Sequence, residues 1–397
     1  MTAGDQLPLA GIRVLDCSRV LAGPFATMLL ADLGADVIKV EPPTGDDTRA
    51  WGPPFWGPRE DGLSAYYSSV NRNKRSVVLD LKTDAGRAAL DQLASGSDLL
   101  IHNYRPGTAT GLGLDAGRLA AVHPELITAV VAGFAGDDEQ ERNRPAYDLL
   151  AQAVSGLMSV TGDEDGQPHK VGVAVLDLIA GLEVAIGALA ALLGRRVDAA
   201  RHVEVSLVEA GLTSLVNVLA NYLATGVEPR RYGNAHPNIA PYQAFPAADG
   251  HVIIAVGNDA QFARLIGVLG LADGDGRFST NADRVLRRSE LTEWVGSAIS
   301  GRRRDDLVDV LLAADVPAGP VLTIGESVAA MEHAHHGSWV EDVNGMRLAP
   351  SPFRLDGRRP SIRRPPPHLG EHTDEILGEI GPRPSVARVD TSPMEDA

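Results

Sequence analysis

Residues 12–41 read IRVLDCSRVLAGPFATMLLADLGADVIKVE. Ile12–Asp16 and Asp36–Glu41 are short runs of β-branched and other apolar residues, which predicts strands. Between them Pro24–Leu33 is rich in Ala and Leu, which predicts a helix. A strand, a helix and a second strand in so short a span form a βαβ unit, the crossover that parallel strands require. The turn Ser18-Arg19-Val20-Leu21-Ala22-Gly23-Pro24 lacks G-x-G-x-x-G. Without those glycines the backbone cannot closely approach a pyrophosphate, so a nicotinamide cofactor is disfavoured.

The alternation continues outward from this unit. Strands are predicted at Ser76–Leu81, Asp98–His102 and Leu126–Ala132, with helices at Asp84–Leu93 and Ala146–Met158. That order predicts an α/β fold, a parallel sheet with helices on both faces. Asp177–Leu193 is an almost wholly apolar helical pattern that should be buried, followed by a strand at His202–Ser206 and a helix over Leu207–Ala224. Thr225–Pro241 reads as a linker or binding loop. A hairpin then turns at Asp249-Gly250 between Tyr242–Phe245 and His251–Val256, with helices at Ala260–Leu269, Glu290–Ser300 and Asp305–Ala314. This is the pattern of a smaller α+β domain. Beyond Ala329 the chain reads as irregular, with a proline-rich stretch Pro360–Pro367, a last helix over Glu371–Ile380 and a polar, disordered tail after Pro382.

Composition narrows the function. The 397 residues exceed what one core usually holds, so two domains are expected. A formal net charge of −16 argues against nucleic acid as a partner. The single cysteine, Cys17, cannot form an internal disulfide, which predicts a reducing, cytoplasmic setting. Met1–Pro8 has no basic flank leading into an apolar run, so no signal peptide is expected. Ile179–Leu193 is shorter than the ~20 residues a bilayer span needs and contains Glu183, so no membrane role is expected.

Several residues carry possible chemistry. Lys39, the run Asn71-Arg72-Asn73-Lys74-Arg75 and the run Asn103-Tyr104-Arg105 lie near predicted strand ends. Ligands of open α/β sheets bind at the carboxyl ends of strands, and converging Arg and Lys suit phosphates. Each cluster alone also fits a solvated loop. Asp177 opens the most apolar helix, where an N-cap aspartate is the plain expectation. Capping is compatible with catalysis, because a rigid carboxylate in a partly dry setting is a good nucleophile toward a carbonyl. His333, His335 and His336 cluster without companion cysteines or an H-E-x-x-H pattern, so no metal is expected. There is no G-x-S-x-G elbow.

Taken in order, Gly11–Asp16, Ala22-Gly23-Pro24, Leu33–Glu41, Gly45–Arg49, Asn73–Ser76, Asn103–Gly107, Tyr147-Asp148, Gln152, Gly156, Gly233–Pro237, Pro317–Pro320 and Leu369–Asp374 span nearly the whole chain. Their sequences and spacing resemble the class III CoA-transferases, the family of formyl-CoA transferase, carnitine CoA-transferase and α-methylacyl-CoA racemase. The resemblance implies a Rossmann-like large domain formed by both chain ends, a small α+β domain and an interlocked homodimer. It places the large CoA-binding domain at 1–225, the small domain at 226–330 and a returning segment at 331–397. Tyr242-Gln243-Ala244-Phe245 looks most like the branch that uses succinyl-CoA with other carboxylic acids. Formyl-CoA transferases carry a glutamine where this chain has Leu21, and a glycine-rich loop after the long helix that has no counterpart here.

The same resemblance implies that Asp177 is the nucleophile, forming an aspartyl-CoA thioester, with coenzyme A as part of the substrate and no metal. It implies CoA contacts from Lys39, Asn73, Lys74, Arg75, Asn103, Arg105, Arg144 and Tyr147. Asn234 and His236 are candidates for the acceptor carboxylate, and fit equally well as turn-forming residues. The alternative on this fold is an α-methylacyl-CoA racemase, which needs a second acid/base group. Where a histidine is expected this chain has Tyr147, a poor base near its ordinary pKa.

Overall fold

A computed structural model describes residues 7–58, 62–195 and 200–379. Met1–Gln6, Ile380 and the tail after Pro382 therefore lie outside the described residues. Contacts divide the chain into two compact units. One comprises the chain through Ser155, Gly172–Ser214 and the part from Ser338 on; the other comprises Gly156–Val171 and Leu215–Gly337.

The first unit is built on six strands: β1 (Arg13–Asp16), β2 (Asp36–Glu41), β3 (Lys74–Val78), β4 (Leu99–His102), β5 (Ile127–Ala132) and β6 (His202–Ser206). Their order is β3-β2-β1-β4-β5-β6 and every pairing is parallel. Helix α1 (Ala22–Asp32) joins β1 to β2, and α2 (Asp84–Ser95) joins β3 to β4. Successive strand residues point to opposite faces. Leu15, Ile38, Val77 and Leu100 pack with Leu90 and Leu93 of α2 and with Ile376 from the C-terminal segment. Val14, Val37 and Leu99 are equally buried, and helices α1 and α4 (Val175–Gly194) pack on the sheet and on each other. Each fully buried Leu, Ile or Val contributes about 1.5–3 kcal/mol, so this two-sided core dominates the unit's stability.

The structure revises several predicted elements. Strand β3 begins at Lys74 rather than Ser76 and pairs with Val37–Glu41 of β2. This puts Asn73, Lys74 and Arg75 at the amino end of a strand. The helix expected over Ala146–Met158 is α3 (Asp148–Val154) and a separate turn Leu157–Val160, broken by Gly156 at φ 86°. Likewise Leu207–Ala224 is split into α5 (Leu207–Thr213) and Val216–Thr225. Both breaks coincide with unit boundaries. Irregular chain was expected from Ala329, yet a helix covers Ile324–Ala334, started by a reciprocal cap between Thr323 and Glu326. Helix α4 has 20 residues and mean hydropathy 2.1, enough in length and composition to cross a membrane. Its Leu176, Ala180, Gly181, Val184, Ala188 and Leu192 are buried within the unit, as in a core helix.

The second unit carries the antiparallel strands β7 (Tyr242–Ala247), β8 (Gly250–Ala255) and β9 (Ala318–Pro320), in the order β9-β8-β7. Gly250 opposite Ala247 closes the hairpin at Asp249-Gly250. Helices α6 (Asp259–Leu269), α7 (Arg288–Ile299) and α8 (Arg304–Ala313) supply Phe262, Leu265, Val295 and Leu307 to a core with Phe245, Val252 and Ile254. Arg284 is buried at its edge, donating to Ala240 O and Phe278 O and pairing with Asp259.

Candidate active site

The strand order reverses between β1 and β4, and such a reversal opens a crevice at the carboxyl ends of the strands. The loops leaving β1 and β4 meet there. Asn103 Oδ1 accepts from Arg19 N at 2.9 Å, and its Nδ2 donates to Arg19 O at 2.7 Å. From beneath, Asp16 Oδ1 accepts from Ser18 N and from the Ser18 hydroxyl. Lys39 Nζ donates to Ser18 O at 3.1 Å and Asp46 Oδ2 at 3.0 Å, while Asp46 accepts from Val20 N at 3.3 Å. Lys74 Nζ donates to Asp16, Asn71 and Pro24 O, each at 2.8 Å. Val20 is thereby held at φ 69°, a backbone region that β-branched residues rarely occupy.

These lysines have no exposed surface. Burial alone would raise Asp16, but Lys74 and Lys39 hold its carboxyl well below the usual range. Lys74 is pulled down to about 8, chiefly by burial. Buried pairs of this kind fix geometry, and losing one partner is costly.

Above the loops lies a cleft of about 350 Å³, lined by Arg19–Ala22, His102–Arg105, Arg142, Arg144, Tyr147 and Asp177, among others. Four arginines therefore face one cavity. Arg142 pairs with Glu204, Arg144 pairs with Glu141 and covers the Phe134 ring, and Arg105 donates to Asn143 O. His102 and His202, far apart in the chain, also line it. Burial, then the charge of His202, pulls His102 down to about 4, so it is neutral near pH 7.

Asp177 sits in the first turn of α4, but it is not the helix cap that the sequence led us to expect. Ala174 occupies the cap position and provides no side-chain bond. The cap comes from another helix: Asp148, the first residue of α3, accepts from Leu176 N at 2.8 Å and Asp177 N at 3.3 Å through Oδ1. Its Oδ2 accepts from Gln152 Nε2 at 2.5 Å. With its backbone held this way, the Asp177 side chain is left to the cleft. Gly181, one turn further on, permits the approach of α1, because a Cβ there would lie 2.7 Å from Ala22 O.

Burial, and next the charge of Asp148, raise Asp177 from an ordinary 3.8 to about 7. Tyr66 is near enough that burial and the charges of Asp177 and Asp148 push its phenol up to about 12. A carboxyl that ionises near neutrality, in a cleft that four arginines also line, is suited to nucleophilic attack on an acyl group of an anionic ligand.

Of the residues singled out from sequence, Asn103, Arg105, Arg144, Tyr147 and Asp177 line this cleft. Lys39, Asn73, Lys74 and Arg75 do not. Lys39 and Lys74 are enclosed beneath the β1 loop, Asn73 bonds Asp32 and the 363–364 backbone, and Arg75 pairs with Asp36, Glu375 and Glu379. The physical reason is that β3 starts at Lys74, so Asn73 and Arg75 lie at the end of the sheet opposite the cleft, while the Lys74 side chain is held under the β1 loop by Asp16. Asn234 and His236 belong to the second unit. Asn234 Oδ1 accepts from Ala244 N, and His236 Nδ1 accepts from Asn238 N. Sequence alone assigned no site role to Arg19, Tyr66, His102, Arg142, Asp148 or His202, although His102 was placed at a strand end and Asp148 within the family pattern. Only the i, i+4 pair Asp148 and Gln152 had a local signal.

The model of CoA-transferase family III matches residues 9–373. The succinate–glutarate CoA-transferase of Agrobacterium fabrum is 41% identical over 384 residues, covering 94% of this chain and 96% of that protein. The human succinyl-CoA:glutarate CoA-transferase is 38% identical, covering 94% of this chain and 86% of its own length. A solved CAIB/BAIF family protein from Brucella suis superimposes with a TM-score of 0.83 at 38% identity, covering 95% of this chain and 100% of that one. With a family match over almost its full length and a carboxyl-bearing cleft at the sheet's switch point, the chain belongs to CoA-transferase family III, enzymes that move CoA between an acyl-CoA thioester and a carboxylic acid.

Proposed function

We propose that this enzyme moves CoA from succinyl-CoA to another carboxylic acid, of the dicarboxylate class, through a covalent thioester on Asp177. The observation that carries the reading is Asp177 itself: a carboxyl with pKa about 7, lining a cleft with four arginines. The acids named for the relatives from Agrobacterium fabrum and human support the substrate class.

In this mechanism the Asp177 carboxylate attacks the donor thioester carbonyl and the C–S bond breaks, giving a mixed anhydride and CoA thiolate. The thiolate attacks the Asp177 carbonyl of the anhydride, expelling the donor acid as its carboxylate and leaving aspartyl-CoA. The acceptor carboxylate attacks that thioester, and the released thiolate then takes the acceptor's acyl carbon, restoring Asp177. Thioester energy is thus kept on the enzyme rather than lost to water. Arg19, Arg105, Arg142 and Arg144 are the proposed partners of the CoA phosphates, with Asn103 and Tyr147 beside them. Because His236 Nδ1 is an acceptor, its Nε2–H is the donor we assign to an acceptor carboxylate.

We also propose an interlocked homodimer whose large domain is formed by both chain ends. Leu150 and Val154 on α3, and Leu182, Ile186 and Leu193 on α4, are exposed apolar residues at helical spacing. Ile186 is 65% and Leu193 83% exposed, an unusual surface for a lone subunit.

The test is mass spectrometry after mixing with succinyl-CoA, with hydroxylamine or borohydride trapping. A modification on Asp177, lost together with transfer in Asp177→Ala, is expected. Modification elsewhere, or transfer that survives the substitution, would sink the reading. Deuterium entering the α-carbon of a 2-methylacyl-CoA without CoA exchange would favour the racemase instead.

A further inference from the structure

Asp148 touches no cleft ligand group in the chemistry above, yet it is the most constrained carboxylate near the nucleophile. It is buried, with 8% exposure. One oxygen accepts the first-turn N–H groups of Leu176 and Asp177, and the other is held by Gln152. Aspartate is as common a helix cap as Ser or Asn, and Asp46, Asp115 and Asp138 cap helices in this chain. Here a full negative charge is placed beside another carboxylate, which a cap alone does not require.

We propose that Asp148 is the positioning residue of Asp177: it fixes the first turn of α4 and, through its charge, favours states in which Asp177 carries an acyl or CoA group over the free carboxylate. The inference rests on the reading of Asp177 as nucleophile. The charge balance of that reaction explains the effect. Attack on the donor thioester turns anionic Asp177 into a neutral anhydride while the charge leaves on the CoA sulfur. The thiolate's return forms a neutral thioester and the charge leaves with the donor carboxylate. Each covalent state removes one of two neighbouring charges from a poorly solvated site, as protonation of Asp177 does, so like-charge repulsion is felt only by the free carboxylate.

Among the described residues, the surrounding elements supply no other negative charge placed to do this. Tyr66, from the Ala65–Ser68 helix, faces both carboxylates as a neutral phenol. Helix α1, packed on α4, has no charged residue before Asp32, which is bound to Arg72. The only charged residue of α5 is Glu209, which is exposed. Arg19, Arg105, Arg142 and Arg144 line the cleft, and Arg142 and Arg144 are already paired with Glu204 and Glu141.

Asp148→Asn and Asp148→Ser separate charge from cap, since each keeps an oxygen acceptor and is neutral. The full-length variants are equilibrated with fixed succinyl-CoA and succinate, the aspartyl-CoA fraction is read by intact-mass spectrometry, and kcat/KM is followed against pH. The expected result is a ratio of covalent to free enzyme about tenfold lower, with the acid limb of kcat/KM moved down by about one pH unit. An adduct ratio within twofold of wild type and an unmoved acid limb would overturn the proposal, as would failure of both variants to fold. Absence of any adduct on Asp177 in the wild-type enzyme would instead defeat the nucleophile reading on which it rests.

Discussion

Replacing Asp177 by Asn is expected to stabilise the protein while abolishing transfer, and the size of the gain follows from the site. Burial and Asp148 raise this carboxyl from 3.8 to about 7. Between those values the folded protein holds a proton that the unfolded chain releases. Stability therefore falls as pH rises across that window and levels off above it. The full penalty above neutrality is at most about 4 kcal/mol, and at pH 5 it is about 2 kcal/mol. Asn carries no such penalty, so its advantage should widen by roughly 2–3 kcal/mol from pH 5 to pH 8. Urea unfolding of both proteins at the two pH values measures this directly. An Asn variant no more stable than wild type at pH 8, or with an equal advantage at both values, would refute the reasoning. If Asp177 is the nucleophile, the same ionisation should make wild-type kcat/KM fall about tenfold per pH unit below 7.

Gly181→Ala forces a Cβ to within 2.7 Å of Ala22 O and 3.1 Å of Phe25 Cδ1. Because the first obstacle is backbone, α4 must move off α1, at a cost of about 1–3 kcal/mol. Asp177 lies one turn earlier on the same face, so on the proposed mechanism kcat should drop along with Tm; an unchanged kcat would show that the seat of α4 does not set Asp177. Lys74→Met breaks the enclosed pair with Asp16 and should cost about 3–5 kcal/mol in thermal or urea unfolding. A raised KM for the CoA thioester at unchanged stability would instead make Lys74 a direct CoA contact. Arg284→Met leaves Ala240 O and Phe278 O without a donor in the second unit. It should expose 215–337 to limited proteolysis, and cleavage no faster than in wild type would deny Arg284 that role.

The local alternation of strand and helix in residues 12–41 specified the parallel sheet, because side-chain period is a property of neighbouring residues. For the same reason Asp36–Glu41 and His202–Ser206 were legible as strands to the residue. Asp177 stood out as the acid opening an apolar helix, and the family resemblance gave it a role. The breaks after Val154 and Thr213 were not legible, since an apolar helical pattern continues through both. The cations were harder still. Asn73, Lys74 and Arg75 look like a phosphate-binding run, yet a strand that begins at Lys74 carries Asn73 and Arg75 away from the cleft and buries Lys74 against Asp16, while Arg19 and Arg142 line the cleft. The cap on α4 comes from Asp148, 28 residues before Leu176. Sequence determined the sheet's strands and the apolar helix that carries Asp177; tertiary structure decided which charges surround that residue, because strand register and packing between helices join residues that no local pattern connects.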